Sequence, residues 1–413
     1  MQFKQYPSYK NSGVEWLGDV PEHWSVIPSK FYFIERKEKA ENTDKQLTAS
    51  QKHGIIFQED FMAENGRVMV VMKNPEILKK VRPNDFVISM RSFQGGLELS
   101  YLEGSISSAY VMLKPNLNVV DIEYFKYLFK TPRYIQSLQS TSNLIRDGQA
   151  LRFNNFSQIK LVLPPKADQE KIVSFLDTET ARIDNLIAKQ EKLIELLEEQ
   201  RKSIISHAVT KGLNPNAPMK DSGVEWLGEV PEHWQILKLR QLVKLESGLA
   251  LPLNRINPDG KYPVYGGNNI RGFTENFNMK GDYILVGRQG SLCGNINYAS
   301  GEFWATEHAV VVYPKKPVSL TFLGELLRTM NLNQYSIASA QAGLSVDRIS
   351  NIYTIYIPFE EQIQIAKKID HENLKVDKLI SKQQSLIEKL KEYRASIISH
   401  AVTGKIDVRE FGA

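Results

Sequence analysis

The 413-residue chain has a single cysteine, Cys293. This excludes an internal disulfide framework and a thiolate zinc site, and it suits a reducing compartment. No apolar run approaches the ~18 residues of a membrane helix, and the start MQFKQYPSYK lacks an apolar signal region. The expectation is a cytoplasmic protein with no membrane partner. Neither sign of charge dominates: 52 Lys and Arg against 47 Asp and Glu leave a formal +5. That permits nucleic acid as a partner without arguing for it. Catalytic signatures are missing as well. There is no GxxxxGK[ST] phosphate loop, no HExxH, no Gly-x-Ser-x-Gly elbow and no Asn-Pro-Pro-Tyr run. The chain is expected to carry no catalytic residue, no metal site and no cofactor of its own.

What is present is repetition. SGVEWLGDVPEHW at 12–24 recurs as SGVEWLGEVPEHW at 222–234, and LIELLEEQRKSIISHAVT at 193–210 recurs as LIEKLKEYRASIISHAVT at 386–403. The second repeat extends upstream, placing Gln169 over Gln362 and Ile172 over Ile365. Each half therefore reads as leading segment, long variable region, proline-bearing turn and long helix. Repeats of this kind set the architecture before any local feature does.

The helices are the clearest elements. One apolar track is Leu176, Ile183, Gln190, Leu197 and Ile204, and a second is Ile172, Glu179, Leu186, Leu193, Gln200 and His207. The other helix repeats them as Ile369, Val376, Gln383, Leu390, Ile397 and Ile365, Glu372, Leu379, Leu386, Tyr393, His400. Sustained a/d spacing is a coiled-coil signature. Gln190 and Gln383 sit midway along their tracks, where an antiparallel pair would bring them together and set the register. The variable regions, 25–165 and 235–357, hold short β-like runs such as RVMVVM (67–72), DFVISM (85–90), SAYVML (108–113), DYILVG (282–287) and HAVVVY (308–313). Each also holds a helical candidate, at 122–138 and 319–335.

The fold class expected is mixed α+β: two α/β domains separated by two long helices that form an antiparallel coiled coil, with a pseudo-twofold internal repeat. The divisions are 1–165 (leading segment and first domain), 166–211 (first helix), 212–357 (leading segment and second domain) and 358–413 (second helix and tail). Positive charge gathers on the domains, with 19 Lys and Arg against 14 Asp and Glu over 25–165 and 12 against 8 over 235–357. The helices are near neutral, at 8 against 9 over 166–211 and 8 against 7 over 359–403. This suits phosphate contact by the domains.

Together these motifs resemble the specificity subunits of type I restriction-modification systems. The resemblance rests on the leading segments, the Pro-Pro…Gln-x-x-Ile helix start, the RxSIISHAVT helix ends, YPVYGGNNIRGF, GDYILVGRQGSLCGN and FWATEHAVVV. In the first domain RPNDFVISMRSFQGG and GSISSAYVML carry it. It implies a non-catalytic chain that reads an asymmetric two-part site on double-stranded DNA and binds two methylation subunits, which restriction/motor subunits join. The assembled complex would then be an adenine-specific DNA methyltransferase and an ATP-dependent endonuclease. S-adenosylmethionine, ATP and Mg2+ would belong to those partners. A two-headed protein-binding scaffold with a helical spacer is the alternative.

Candidate DNA contacts follow from polar, glycine-rich turns, because Arg donates twice to guanine and Asn or Gln pairs with adenine. In the second domain they are Asn268, Asn269, Arg271, Arg288, Gln289 and Ser291. In the first they are Arg91, Ser92 and Gln94, with Arg67, Lys79, Lys80 and Arg82 as phosphate contacts and Arg146, Arg152 and Asn154 in LIRDGQALRFNNF. Trp16, Trp24, Trp226 and Trp234 are expected to pack the leading segments against the frame. His207 and His400 lack neighbouring metal ligands and read as packing or capping residues.

Overall fold

A computed structural model describes residues 3–51, 53–65, 77–90, 92–142, 151–290, 292–336 and 343–411. The chain divides into two compact units, Met1–Gln190 with Ser385–Ala413, and Glu191–Gln384. Both borders fall inside the long helices Lys166–Lys211 and Phe359–Val402. Each unit thus owns one variable region and one half of each helix.

In the first unit, β1 (Phe33–Arg36), β2 (Phe86–Ile88), β3 (Glu98–Leu99) and β4 (Val111–Pro115) form an antiparallel sheet of order β1-β4-β2-β3. Its core is aromatic: Phe33 and Phe86 meet Phe125 and Phe129 edge-on or tilted, at 5.0 to 5.5 Å between centroids. The helix expected over 122–138 is two, Ile122–Leu128 and Pro132–Ser140. Pro132 has no amide hydrogen to continue the first helix and starts the second. The run 67–72 lies outside the described residues.

In the second unit, β5 (Val243–Ser247), β7 (Tyr283–Gly287), β8 (Ile296–Ala299) and β10 (Ala309–Pro314) form a sheet of order β5-β10-β7-β8, with β6 (Tyr262–Tyr265) and β9 (Glu302–Ala305) in a neighbouring one. The strand order matches that of the first unit. The helical candidate at 319–335 becomes Leu320–Thr329, N-capped by Ser319, and a short 3-10 turn Leu332–Tyr335.

Each variable region is closed by its own ends. Ser25–Pro28 pairs antiparallel with Lys160–Leu163, and Gln235–Lys238 pairs with Tyr353–Tyr356. The helix that follows is locked by the repeated glutamine. Gln169, fully buried, accepts from Asp121 N and donates to Val119 O and Pro164 O. Gln362 likewise accepts from Ser319 N at 2.9 Å and donates to Ile357 O at 3.0 Å. One amide thus satisfies backbone groups that would otherwise be buried without partners.

The leading segments dock by a repeated device. Trp24 Nε1 and His23 Nε2 both meet Asp168 Oδ2, at 3.2 and 2.8 Å. Trp234 Nε1 and His233 Nε2 both meet Glu361, at 3.1 and 2.9 Å. The carboxylate stands in the first turn of each long helix, where the dipole favours an anion. Trp24 and Trp234 are fully buried, as expected. Trp16 is half-buried against Tyr134, and Trp226 donates to Tyr353 O.

Within each unit the helix halves run antiparallel. In the first, Phe175 meets Phe411 and Asp184 pairs with Arg394 at 2.8 Å, so partner numbers fall as the first helix advances. In the second, Arg201 pairs with Asp377 at 2.8 Å and Gly212 abuts Glu361. Asp184 and Asp377 are repeat equivalents, as are Arg201 and Arg394, so each unit takes the acid from one helix and the base from the other.

On the first track Leu176 and Ile183 are buried and Gln190, Leu197 and Ile204 are half-buried, with Ile205 buried beside Ile204. The second track departs from expectation. Leu193, Gln200 and His207 are exposed, while Ile194, Arg201 and Ala208 turn inward, and Leu386, Tyr393 and His400 give way to Ile387, Arg394 and Ala401. A straight helix drifts ~20° per heptad against ~100° between adjacent residues, so the buried stripe moves to the next residue after about three heptads. Gln190 and Gln383 are half-buried.

Candidate nucleic-acid interface

At one end of the second unit's sheets, five connections converge: those after β5, β6, β7 and β9, and the segment around Gly343. Backbone bonds tie them together. Leu249 N donates to Ala305 O, Arg288 N to His308 O, Thr306 N to Tyr265 O and Leu344 N to Arg288 O, all between 2.8 and 3.0 Å. The glycines make this approach possible. A Cβ on Gly287 would strike the Gly267 carbonyl, one on Gly248 the Ala305 carbonyl, and one on Gly267 the Gln289 carbonyl. Gly287→Ala is therefore expected to cost about 1–3 kcal/mol through overpacking. Urea unfolding of the full chain reads this directly, and an unchanged midpoint would refute the packing argument.

On this platform the structure gathers five of the candidates. Asn268 and Asn269 are exposed, with Asn268 Oδ1 accepting from Asn295 Nδ2 at 2.8 Å and Asn269 at φ 57°, a conformation asparagine tolerates. Arg271 is exposed on the strand Ile270–Thr274. Arg288 is half-buried and steadied by Ser247 Oγ at 3.2 Å, and Gln289 is exposed and bridged to Gly343. Ser291 lies outside the described residues. Ser247 and the turn residues Glu307 and His308 also stand here and were not among the candidates. The signal for the turn was present in FWATEHAVVV, which reads as strand and hides the reversal between β9 and β10.

The first unit's candidates are more dispersed. Lys80 is 3% exposed, clasped by Asp44 at 2.5 Å and Glu103 at 2.9 Å, so it is not a phosphate contact. Releasing it would strand a buried carboxylate. Arg82 places its fork on Glu38, which it and Arg36 hold at a pKa of about 2. Its side chain remains 44% exposed. Lys79 donates to Tyr110 O at 2.6 Å. Ser92 is fully buried, its hydroxyl accepting from Ser89 N at 2.9 Å, which makes it a turn-former and not a surface contact. Gln94 is exposed after β2, and Arg152 and Asn154 are exposed at the short helix Phe153–Ser157. Arg67, Arg91 and Arg146 lie outside the described residues.

The two sheets can be aligned by register. The ladders pair Met112 with Val87 in the first unit and Val311 with Leu285 in the second, and the turns before them close alike, Tyr110 N on Ser107 O and Ala309 N on Thr306 O. Phe86–Ile88 then falls on Ile284–Val286, and Ser108-Ala109 falls on Glu307-His308. Scaffold positions agree while turn residues differ. Among the described residues no group of His, Cys, Asp and Glu is placed to hold a metal, and His207 and His400 are exposed on their helices. No helix among the described residues is long and apolar enough to cross a membrane.

Comparison with known proteins agrees with this arrangement. A family model described as the type I restriction modification DNA specificity domain matches residues 78–196 and 231–391, about two thirds of the chain. The EcoprrI specificity subunit of Escherichia coli is 43% identical over 136 residues, 32% of this chain and 34% of that protein. The MjaVIII specificity subunit of Methanocaldococcus jannaschii is 24% identical over 94% of both chains. Two solved structures share the fold. One, describing complex assembly and conformational transition of the type I R-M system, has a TM-score of 0.67 at 14% identity, covering 93% of this chain and 98% of its own. The other, the HsdS subunit from Thermoanaerobacter tengcongensis, has a TM-score of 0.54 at 15% identity, covering 94% and 98%. With matching sheet orders in its two units and the family model spanning both, the chain belongs to the type I restriction-modification DNA specificity family.

Proposed function

We propose that this chain reads an asymmetric, two-part site on double-stranded DNA, one half with each target domain. The observation that carries the reading is the pairing of one scaffold with two sets of turns. Both units build the same four-stranded order, and the residues at the turn ends differ, as Ser108-Ala109 and Glu307-His308 do. Two domains of one ancestry with different reading loops suit two different half-sites. The two long helices act as an antiparallel coiled-coil spacer with pseudo-twofold symmetry, with Gln190 and Gln383 setting its register. Two methylation subunits dock on the frame and restriction/motor subunits join them. The chain carries no chemistry, and S-adenosylmethionine, ATP and Mg2+ belong to its partners. It works in the cytoplasm.

Footprinting of the chain with its methylation subunits tests this: two separated clusters of protected bases are expected. A bound protein partner with no protection anywhere would favour the scaffold reading. Binding to random duplex will also fall steeply with salt, by a slope of about −0.9 in log K per phosphate neutralised. Titrations between low and high salt that superimpose would rule out phosphate contact.

A further inference from the structure

The turn between β9 and β10 carries two side chains that the family resemblance gives no role. Its flanks are locked: Ala305 and Ala309 are fully buried, Thr306 is 1% exposed, and the carbonyls of Ala305 and His308 are taken by Leu249 N and Arg288 N. Only Glu307 and His308 project, about a third to two fifths exposed (41% and 33%). They face each other, His308 Nε2 lying 3.3 Å from Glu307 Oε1. Their remaining polar atoms, His308 Nδ1 and Glu307 Oε2, are buried and have no hydrogen-bond partner among the described residues. A buried polar atom without a partner is costly, and folds seldom keep one without a use.

We infer that Glu307 and His308 read one base pair of the second half-site, admitting G·C or T·A and rejecting A·T and C·G, an inference that rests on the DNA-reading function proposed above. The chemistry of the two edges is complementary. An imidazole N–H donates and a carboxylate oxygen accepts, side by side and 3.3 Å apart. In the major groove guanine O6 accepts and cytosine N4 donates, also side by side, since the two atoms bond each other across the pair at roughly 2.9 Å. His308 meets guanine O6 or thymine O4, and Glu307 meets cytosine N4 or adenine N6. An A·T pair in the same orientation sets the adenine amino donor against the imidazole donor and the thymine acceptor against the carboxylate. Reversing the G·C pair gives the same clash, whereas T·A, with thymine O4 accepting and adenine N6 donating, fits as G·C does, so two of the four pairs fit. On binding, each side chain exchanges its bond to the other for a bond to a base edge. The first unit has Ser108 and Ala109 in this turn, too short to reach in the same way, so its half-site is read differently here.

The test is selection from a duplex library randomised in both half-sites, using the full chain complexed with its methylation subunits. The wild-type complex is expected to enrich a site with one position in the second half restricted to G·C or T·A, to the exclusion of A·T and C·G. Glu307→Gln and His308→Gln each lower the preference for that pair about tenfold or more, leaving other positions and the spacing unchanged. The double variant Glu307→Ser/His308→Ala, which carries the first unit's residues, removes the preference at that pair alone. Unchanged preferences in all variants overturn the inference. So does a parallel loss at every position with a lowered melting temperature, which would mark the pair as structural. A wild-type complex that enriches a site with no position so restricted overturns this inference only, whereas one that enriches no site overturns the DNA-reading function itself.

Discussion

Exchanging residues 235–357 for the matching region of another family member will rewrite one half of the DNA site and leave the other half and the spacing unchanged. The structure gives the physical warrant. The region begins and ends in strands that pair with each other, Gln235 opposite Tyr356 and Lys238 opposite Tyr353, so it closes on itself before rejoining the frame. The whole stretch lies within one compact unit. The frame needs little from it. Gln362 requires only backbone groups, the amide of Ser319 and the carbonyls of Pro317 and Ile357, which a different sequence supplies equally well. Mismatched base pairs cost about 1–3 kcal/mol each and add when separated. Three or four of them would lower affinity for the original half-site by on the order of a thousandfold or more. Methylome sequencing of cells carrying the exchanged chain and its methylation subunits reads both halves at once. A change in both halves would show that the domains do not read independently.

The largest loss of stability is expected from Trp24→Ala or Trp234→Ala. Each indole is fully buried where a leading segment, the start of one long helix and the end of the other meet. Trp24 lies under Gly404 and Trp234 under Gly212, glycines in left-handed conformation (φ 71° and 78°) just past a helix end. A left-handed glycine there stops the helix and lets the chain pass close to the ring. Removing a buried Trp costs about 3–5 kcal/mol. Losing Nε1 also weakens the grip on Asp168 or Glu361 in a helix first turn. Against a typical stability of about 5–15 kcal/mol, either change leaves its unit marginal. Denaturant unfolding should show an early transition for one unit; a loss below about 1 kcal/mol would mean the indole is not the keystone of that junction. His23→Ala should cost much less, since its exposed contact with Asp168 competes with water.

Much of this molecule is written locally. The duplicated segments, the two long helices and the proline-marked starts need only periodicity and repeat spacing, which depend on neighbours within a turn or two. Strands such as Phe86–Ile88 and Tyr283–Gly287 also announce themselves, because β-branched and aromatic runs bounded by turn residues have few other ways to pack. What the sequence could not determine is which polar residues are spent on the fold. Lys80 and Arg82 read as free cations; only tertiary structure brings Asp44, Glu103 and Glu38 to them across tens of residues. Ser92 reads as a surface hydroxyl until the turn folds over it. The second helical track likewise shifts by one residue because helix drift accumulates and only a packed partner reveals where the stripe lies. Conversely, Glu307 and His308 are hidden in a strand-like run, and only convergence of five chain segments leaves them projecting. Local order follows from adjacent residues, whereas the availability of a charge depends on which distant group arrives to neutralise it.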